Sequence, residues 1–434
     1  MFILNEEFIG INADIIKRMI DFHKPFVEKY RLLRGYYNGQ HSILDRLKNE
    51  TLKNNKVVIN HASYITDMSV GYLLGTPVNY LSEDGSDISA LLDCYDQQTI
   101  NDLDNEIAKN VSIMGIQHEY IYADENANPK SALIDNANCL IAYDNTLEHK
   151  KLFGIIYKPI SDNNFIVKYY DIIYLDDNKI QKYKYQNNLL ILIEEYPHNF
   201  GKIPLIMYRN NPEEKGDFEK VLSLIDAYNL LQSDRINDKE QLVDAILCMY
   251  DFDFTPEQHT LLKQSRVLAS IPPTGRVEYL TKVLHESDMD ILRKNLEQDI
   301  HKISMCPNMS DENFAGNSSG VALSYKLLPF EQSIKNKERY FEKTLMERFE
   351  IYNNFLVTAS RMTQVSIYKI DAVFNRNLPV NNFEVSQIIK NLQGIVDNET
   401  LISQLSFITD PEESLIKENN VMKEEIDNGI ENIY

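Results

Sequence analysis

Apolar residues recur at helical spacing through much of the N-terminal quarter of the chain. Residues 12–34 place them every three or four positions, which predicts an amphipathic helix. A second helix is predicted over residues 61–74, because Gly75 and then Pro77 follow it. A third is predicted over residues 101–114, with Gly115 as its stop.

From residue 117 to residue 209 the apolar repeat shortens to two. β-Branched and aromatic residues alternate with polar ones, as in residues 119–122 and 165–170. Turn-forming segments such as residues 124–129 and 176–178 separate these runs. The pattern predicts an antiparallel region of several strands.

The helical repeat returns at Asp217, which is a suitable N-cap residue, and extends to residue 248. Residues 232–241 at its centre contain one apolar residue, Ile236. A helix that is polar on all sides either bridges solvent or packs against copies of itself through charged pairs. Five charged residues define this centre: Asp234, Arg235, Asp238, Lys239 and Glu240.

Residues 249–286 are predicted to form a small mixed insert. A helix is expected from residue 255 to about residue 265, and residues 266–271 and 276–280 alternate like short strands. A second long helix is predicted over residues 287–305. The insert therefore lies between two helices, as a tip held on a helical hairpin would.

Residues 306–320 are rich in Asn, Ser and Gly and predict a loop. A long helix is predicted after it, to about residue 362, kinked or restarted at Pro329. Residues 365–374 alternate like a strand, and residues 381–405 are predicted to be helical. The segment from residue 410 onwards has eight acids and two lysines, which predicts an exposed helix or a frayed end.

Composition narrows the possible functions. With 434 residues, 43% of them hydrophobic, the chain has room for two or three sub-domains. Its net charge of −21 argues against tight DNA binding, which depends on Lys and Arg neutralising phosphates. The four cysteines are scattered, and we expect reduced thiols. We also expect no secretion signal at residues 1–10 and no contact with a membrane.

No motif in the sequence points to catalysis. Gly201-Lys202 lacks the rest of a phosphate-binding loop, and residues 124–129 depart from a calcium loop because Pro129 stands where glycine is needed. We therefore expect no catalytic residue, cofactor or metal, and a structural or conduit protein rather than an enzyme. The alternative from another class is a metal-dependent nuclease that uses Asp176, Asp177 and further carboxylates.

An ordered series of short segments resembles the portal proteins of siphophages that infect Gram-positive bacteria. The segments span residues 36 to 379, and their order makes the resemblance specific although each one alone is weak. The series is YYNGQH (36–41), NHASYI (60–65), GYLLGTP (71–77), HNFGKIP (198–204), YRNN (208–211), GDFEKV (216–221), IDAYN (225–229), QSDR (232–235), NMSDENF (308–314), NSSGVAL (317–323) and FNRNLP (374–379).

The resemblance implies an α+β portal fold with long stem and wing helices, an antiparallel β wing region, a small mixed clip and a helical crown. In this sequence it places the parts as follows: the wing at residues 1–215, the first stem helix at 216–248, the clip at 249–286, the second stem helix at 287–305, the tunnel-loop region at 306–320, a long helix and wing strand at 321–380, and the crown with the acidic tail at 381–434.

The same resemblance implies the function and the partners. We expect a homo-oligomeric ring, a dodecamer, at the unique capsid vertex, serving as conduit for genome packaging and ejection. Its expected partners are the terminase large subunit, the head-tail connector or adaptor, the scaffold, the major capsid protein and double-stranded DNA bound without sequence preference. The expected location is the virion, and the host cytoplasm during assembly. The alternative among phage proteins is another head-neck structural protein.

The candidate site is the DNA channel. An acidic wall around the channel would repel phosphate, so that DNA slides without sticking. The loop offers mostly neutral hydrogen-bonding groups that suit the DNA backbone. Its candidate residues are Asn308, Asp311, Asn313, Asn317, Ser318 and Ser319, and the five charged residues of the first stem helix named above complete the set.

Overall fold

A computed structural model gives the fold of the chain. It describes residues 1–4, 8–48, 53–164, 166–243, 246–251, 255–256, 273–280, 286–310, 320–376, 382–397 and 401. The chain forms two compact units, which are residues 1–308 with 329–375, and residues 309–328 with 376–434.

Local signals at the helix ends account for several helix boundaries. The side chains of Asn12 and Asn60 accept hydrogen bonds from the backbone N–H groups three residues ahead, at 2.9 and 3.0 Å, and so cap two helices. Gly115 ends another helix at φ +84°, and a Cβ there would lie 2.2 Å from the carbonyl oxygen of Glu214. The helices are α1 (Ala13–Tyr37), α2 (His61–Leu74), α3 (Ser89–Asp96), α4 (Ile100–Met114), α5 (Leu222–Val243), α6 (Glu286–Ser304), α7 (Gly320–Thr358) and α8 (Asn382–Leu392).

Thirteen strands are present in the described residues, and eight of them lie in the predicted β region. They are β1 (Phe2–Ile3), β2 (Asn79–Ser82), β3 (Ile116–Ala123), β4 (Pro129–Ile134), β5 (Cys139–Tyr143), β6 (Lys151–Ser161), β7 (Val167–Leu175), β8 (Lys179–Gln186), β9 (Leu189–Pro197), β10 (Leu205–Arg209), β11 (Ile246–Tyr250), β12 (Arg276–Leu280) and β13 (Ile370–Val373).

The strands pair into four sheets. The largest has the order β1-β5-β6-β7-β8-β9 and is antiparallel except for β1, which runs parallel to β5. The others have the orders β10-β3-β4, β11-β12 and β13-β2. The first unit is therefore mixed α and β, which confirms the predicted fold class at that level.

Three apolar clusters form the core of the first unit. The largest joins α1, α2, α4, α5 and α7 with β3 and β10, around residues such as Leu33, Val111 and Phe349. A second packs α1 against one face of the six-stranded sheet, and a third lies between that sheet and the β10-β3-β4 sheet. Both sheets are consequently held to the helices by apolar packing, the main favourable contribution to folding.

A buried ion pair crosses the largest core. Arg348 of α7 is fully buried and donates two hydrogen bonds to the Asp104 carboxylate of α4, at 2.6 and 2.9 Å. Its guanidinium also lies 3.6 Å from the Glu119 carboxylate of β3, which accepts a 2.7 Å hydrogen bond from Tyr208. One cation thus faces two carboxylates in a site closed to solvent.

The prediction that the first stem helix extends to residue 248 is wrong at its C-terminal end. Helix α5 ends at Val243, and Ile246–Tyr250 forms strand β11, paired antiparallel with Arg276–Leu280. A short apolar run suits either element, and here its backbone pairs with the partner strand instead of continuing the helix. The strand predicted at residues 276–280 is confirmed, while the helix predicted from residue 255 and the strand at 266–271 lie almost wholly outside the described residues.

The C-terminal predictions are confirmed in part. The helix predicted over residues 287–305 is present as α6, and the long helix is present as α7 with Pro329 inside it. The strand predicted at residues 365–374 is shorter, as β13. Helix α8 ends at Leu392, earlier than predicted, because Gly394 follows at φ +86° in a turn. The acidic segment from residue 410 lies outside the described residues.

Candidate functional site

Charged pairs join α5 to α6 along the hairpin predicted to be the stem. Arg235 of α5 hydrogen-bonds Glu286 of α6 through Nε at 2.8 Å, and Lys239 lies 3.5 Å from the same carboxylate. The Arg235 guanidinium also reaches Asp290 at 4.0 Å. The hydrogen bond from Arg235 lowers the pKa of the Glu286 carboxyl, which keeps the pair charged.

The opposite side of α5 carries a row of buried polar side chains. Asn229, Ser233 and Asn237 are each at most 2% exposed and follow one another at intervals of four residues. Their side-chain oxygens accept hydrogen bonds from three alternate backbone N–H groups of the segment at residues 53–60. The pairs are Ile59 N with Asn229 at 2.9 Å, Val57 N with Ser233 at 2.9 Å, and Asn55 N with Asn237 at 2.8 Å. We call this arrangement the α5 ladder.

Asp234 links the same helix to Arg46 and Lys48, which precede the segment at residues 53–60. Its Oδ1 lies 2.7 Å from Arg46 and 3.1 Å from Lys48. Partial burial works against ionisation, but the hydrogen bonds from Arg46 and Lys48 prevail and lower the pKa of the Asp234 carboxyl.

The polar centre of α5 thus has an explanation that the sequence did not suggest. The sequence left two explanations open, a helix that bridges solvent and a helix whose charges meet charges on neighbouring copies. In the structure Asp234, Arg235 and Lys239 have partners within the chain. Among the described residues Glu240 has no ion-pair partner, and it is exposed. The signal missed in the sequence is the spacing of Asn229, Ser233 and Asn237, which places them on one face of the helix.

The start of the predicted tunnel loop is fixed to two helices. Tyr64 of α2 donates to the carbonyl of Pro307 at 2.9 Å, and the His301 ring of α6 hydrogen-bonds the carbonyl of Cys306 at 3.0 Å. Asn308 donates from its amide to Glu297 at 2.8 Å. Asn308, predicted to face DNA, is thus engaged with α6. The other predicted loop residues lie outside the described residues: Asp311, Asn313, Asn317, Ser318 and Ser319.

Asp176, considered for a nuclease site, and Asp124, considered for a calcium loop, both act as turn residues. Asp176 accepts backbone hydrogen bonds from Asn178 and Lys179 at 2.9 and 2.8 Å, and Asp124 accepts them from Asn126 and Asn128 at 2.9 Å each. The part of the chain that is described contains no group of three or more His, Cys, Asp or Glu residues able to hold a metal ion. Among those same residues, no helix has the length and apolar content to cross a membrane.

Comparison with known proteins identifies the family. Residues 16–431 match the family described as phage portal protein, SPP1 Gp6-like. The chain belongs to the phage portal protein family. The portal protein of Bacillus phage SPP1 is 24% identical over 450 residues, which cover 94% of this chain and 86% of that protein. The portal protein of Clostridium phage phiCD119 is 23% identical over 223 residues, covering 50% of this chain and 48% of the relative.

Family membership confirms the resemblance drawn from the ordered motifs. Both relatives come from phages of Gram-positive hosts, as predicted. Portal proteins are structural components of the phage virion and work as oligomeric rings associated with the capsid. The function of this chain is accordingly that of a portal protein.

Proposed function

We propose that twelve copies of this chain form a closed ring at one capsid vertex, and that the genome enters and leaves through its channel. The observation that carries the proposal is the family match over residues 16–431, nearly the whole chain. Rings of identical subunits need heterologous contacts that close on themselves, and one chain can supply both contacting surfaces.

In this proposal each part of the portal fold is assigned to a part of the chain. The α5–α6 pair serves as the stem, and its two helices are linked by the ion pairs of Arg235 and Lys239 with Glu286. The β11-β12 sheet, which follows the C-terminal end of α5, belongs to the clip. Residues 1–215 with the strand β13 serve as the wing, and residues 381–434 serve as the crown with its acidic tail.

The charge of the chain supports a channel that does not grip DNA. Each copy carries a formal charge of −21, and a ring multiplies it. A negative wall repels phosphate and releases no counterions on contact with DNA, so association stays weak. Neutral groups at residues 308–319 suit passing contacts with the backbone of double-stranded DNA, without sequence preference.

The remaining partners follow from this role. The terminase large subunit docks on the ring and supplies ATP hydrolysis, because this sequence has no phosphate-binding loop. The head-tail connector or adaptor takes the terminase's place after packaging, and the scaffold and major capsid protein surround the ring during assembly in the host cytoplasm.

Electron microscopy of the purified full-length chain tests the ring. Twelve-fold particles with a central hole are expected, whereas monomers or dimers at every concentration would contradict the proposal. Assembled rings should also fail to shift duplex DNA in a gel at physiological salt. Tight duplex binding under those conditions would contradict the repelling channel.

Deletion of residues 311–317 tests the loop. Rings should form normally, while packaging or DNA retention in an infection complementation assay should fall. A matched control replaces the exposed turn at residues 144–150 with glycine and serine, which should leave packaging unchanged. Normal packaging by the deletion variant would show that the loop is a plain surface turn.

A further inference from the structure

A cleft of about 650 Å³ lies in the first unit between α7, the end of α6 and the segment at residues 210–220. Three exposed cations, Lys220, Arg339 and Lys343, line it together with one exposed acid, Glu213. Across the described residues, none of the three cations has a carboxylate partner.

The floor of the cleft is a built polar site. Lys337 is 3% exposed and bonds Asp217 at 2.9 Å. Asn210 is 6% exposed and donates to Asp217 and to the Lys215 carbonyl at 2.7 and 2.8 Å. The Asn210 Oδ1 atom is buried and accepts no hydrogen bond from the described residues. Buried acceptors normally have a donor, so this site is one hydrogen bond short.

A complementary surface lies at the other end of α4. Asp93 and Asp96 of α3, with Asp102 and Glu106 of α4, are exposed and have no ion-pair partner in the described part of the chain. The cleft lies beside the C-terminal end of α4, because Lys337 hydrogen-bonds Ser112 there. Helix α4 has 15 residues and is about 22 Å long, so the basic and acidic surfaces are well separated.

We propose that the basic cleft of one copy receives the acidic α3–α4 surface of the next copy in the ring. This inference rests on the proposed ring. Two different, complementary surfaces at opposite ends of one helix form the heterologous contact that ring closure needs. Copies that each carry −21 repel one another, and a local pairing of opposite charges steers them into register.

Charge reversal on each surface, alone and together, tests the contact. The cleft variant carries Lys220→Glu, Arg339→Glu and Lys343→Glu, and the acidic-surface variant carries Asp93→Lys, Asp96→Lys, Asp102→Lys and Glu106→Lys. Each alone should raise the concentration needed for half-maximal ring formation about tenfold or more, measured by mass photometry. Both sets in one chain should restore assembly towards the wild-type level.

A matched control reverses three exposed lysines of the first unit away from the cleft, Lys17, Lys158 and Lys168, with the same change in net charge. It should assemble like the wild type, and all variants should keep the wild-type circular dichroism spectrum because every changed residue is exposed. Salt screens both the local pairing and the general repulsion, so the difference in assembly between the wild type and the single-surface variants should shrink as the ionic strength rises above about 0.15 M, where the screening length is about 8 Å.

The outcomes separate the two proposals. Absence of rings in the wild type would contradict the proposed function itself. Wild-type rings together with normal assembly of both single-surface variants would overturn only this contact. Failure of the combined set to restore assembly would also overturn it. Normal rings that lose DNA retention in the cleft variant would mean that the cations meet DNA, which overturns the contact between copies.

Discussion

The buried Arg348 should be among the most sensitive single positions in the chain. It is fully buried and is held by both oxygens of Asp104, with Glu119 at 3.6 Å. Replacement by methionine, Arg348→Met, fills a similar volume but leaves two buried carboxylates without a cation. We expect the variant to be destabilised because the charges that remain have no access to water.

The expected loss is about 3–5 kcal/mol, the usual cost of removing one partner from a buried ion pair. Typical domains are stable by only about 5–15 kcal/mol, so the loss is a large share of the total. Urea denaturation followed by far-ultraviolet circular dichroism measures it, since the sequence has no tryptophan for fluorescence. The midpoint should fall with little change in slope.

The loss should depend on pH in a defined direction. Burial raises the pKa of the Asp104 and Glu119 carboxyl groups, while Arg348 opposes that shift. A carboxyl group whose folded pKa exceeds its unfolded value favours folding below the unfolded pKa, and that stability is lost as pH rises through the folded pKa. Without Arg348 both folded pKa values rise further, so the destabilisation should be larger at about pH 8 than at about pH 5.

Two control variants make the test decisive. Arg31→Met changes the same residue type at an exposed position of α1, outside the proposed contact between copies, and should alter the unfolding free energy by less than about 0.5 kcal/mol. Combining Arg348→Met with Asp104→Asn and Glu119→Gln removes all three charges and should recover most of the loss. A pH-independent loss of under about 1 kcal/mol in Arg348→Met would refute the reasoning.

Three further predictions concern other buried positions. Asn229→Ala removes one rung of the α5 ladder and leaves the Ile59 N–H unpaired, so urea denaturation should show a loss of about 1–3 kcal/mol; a loss close to zero would mean that water replaces the rung. Burial lowers the pKa of His61 to about 4, so stability should be lost as pH falls from about 6.5 towards 4, because the unfolded chain takes up the proton first. His61→Phe should reduce that pH dependence. The same fall in the free energy of unfolding between about pH 6.5 and about pH 4 in the variant and the wild type would contradict this. In Gly115→Ala the alanine would have to adopt a positive φ, and its Cβ would clash with the Glu214 carbonyl, so thermal unfolding should show a loss of stability of at least about 1–3 kcal/mol. Wild-type stability would mean that the turn adjusts without cost.

The sequence predicted elements best where local chemistry marks their ends. Helix α2 was predicted with both of its boundaries correct, and Gly75 and Pro77 marked its end, as Gly115 marked the end of α4. The short helix α3 and strand β2 were missed, since eight and four residues carry little periodicity. Strand β11 was taken for helix because only its pairing with residues 276–280 decides between the two.

The candidate site was predicted in outline only. The hairpin of two helices and the identity of the charged residues followed from the pattern of the sequence, and the ordered motifs gave the family. The partners of those charges did not follow, because Arg46, Lys48 and the segment at residues 53–60 are about 180 residues away from α5 in sequence. Long-range pairing of this kind leaves no local periodicity to detect.

The α5 ladder pairs every fourth residue of a helix with every second residue of an extended segment, and these two spacings differ slightly in length. Four residues of an α-helix advance about 6.0 Å, whereas two residues of an extended chain advance about 6.6 Å. Each rung therefore adds a drift of about 0.6 Å between the helix and the segment at residues 53–60, and a few rungs use up the tolerance of a hydrogen bond. The mismatch limits the length of the ladder and gives it a single register. The spacing of these hydrogen bonds thus fixes the position of α5 along its own axis, and every subunit in a ring would set that position identically.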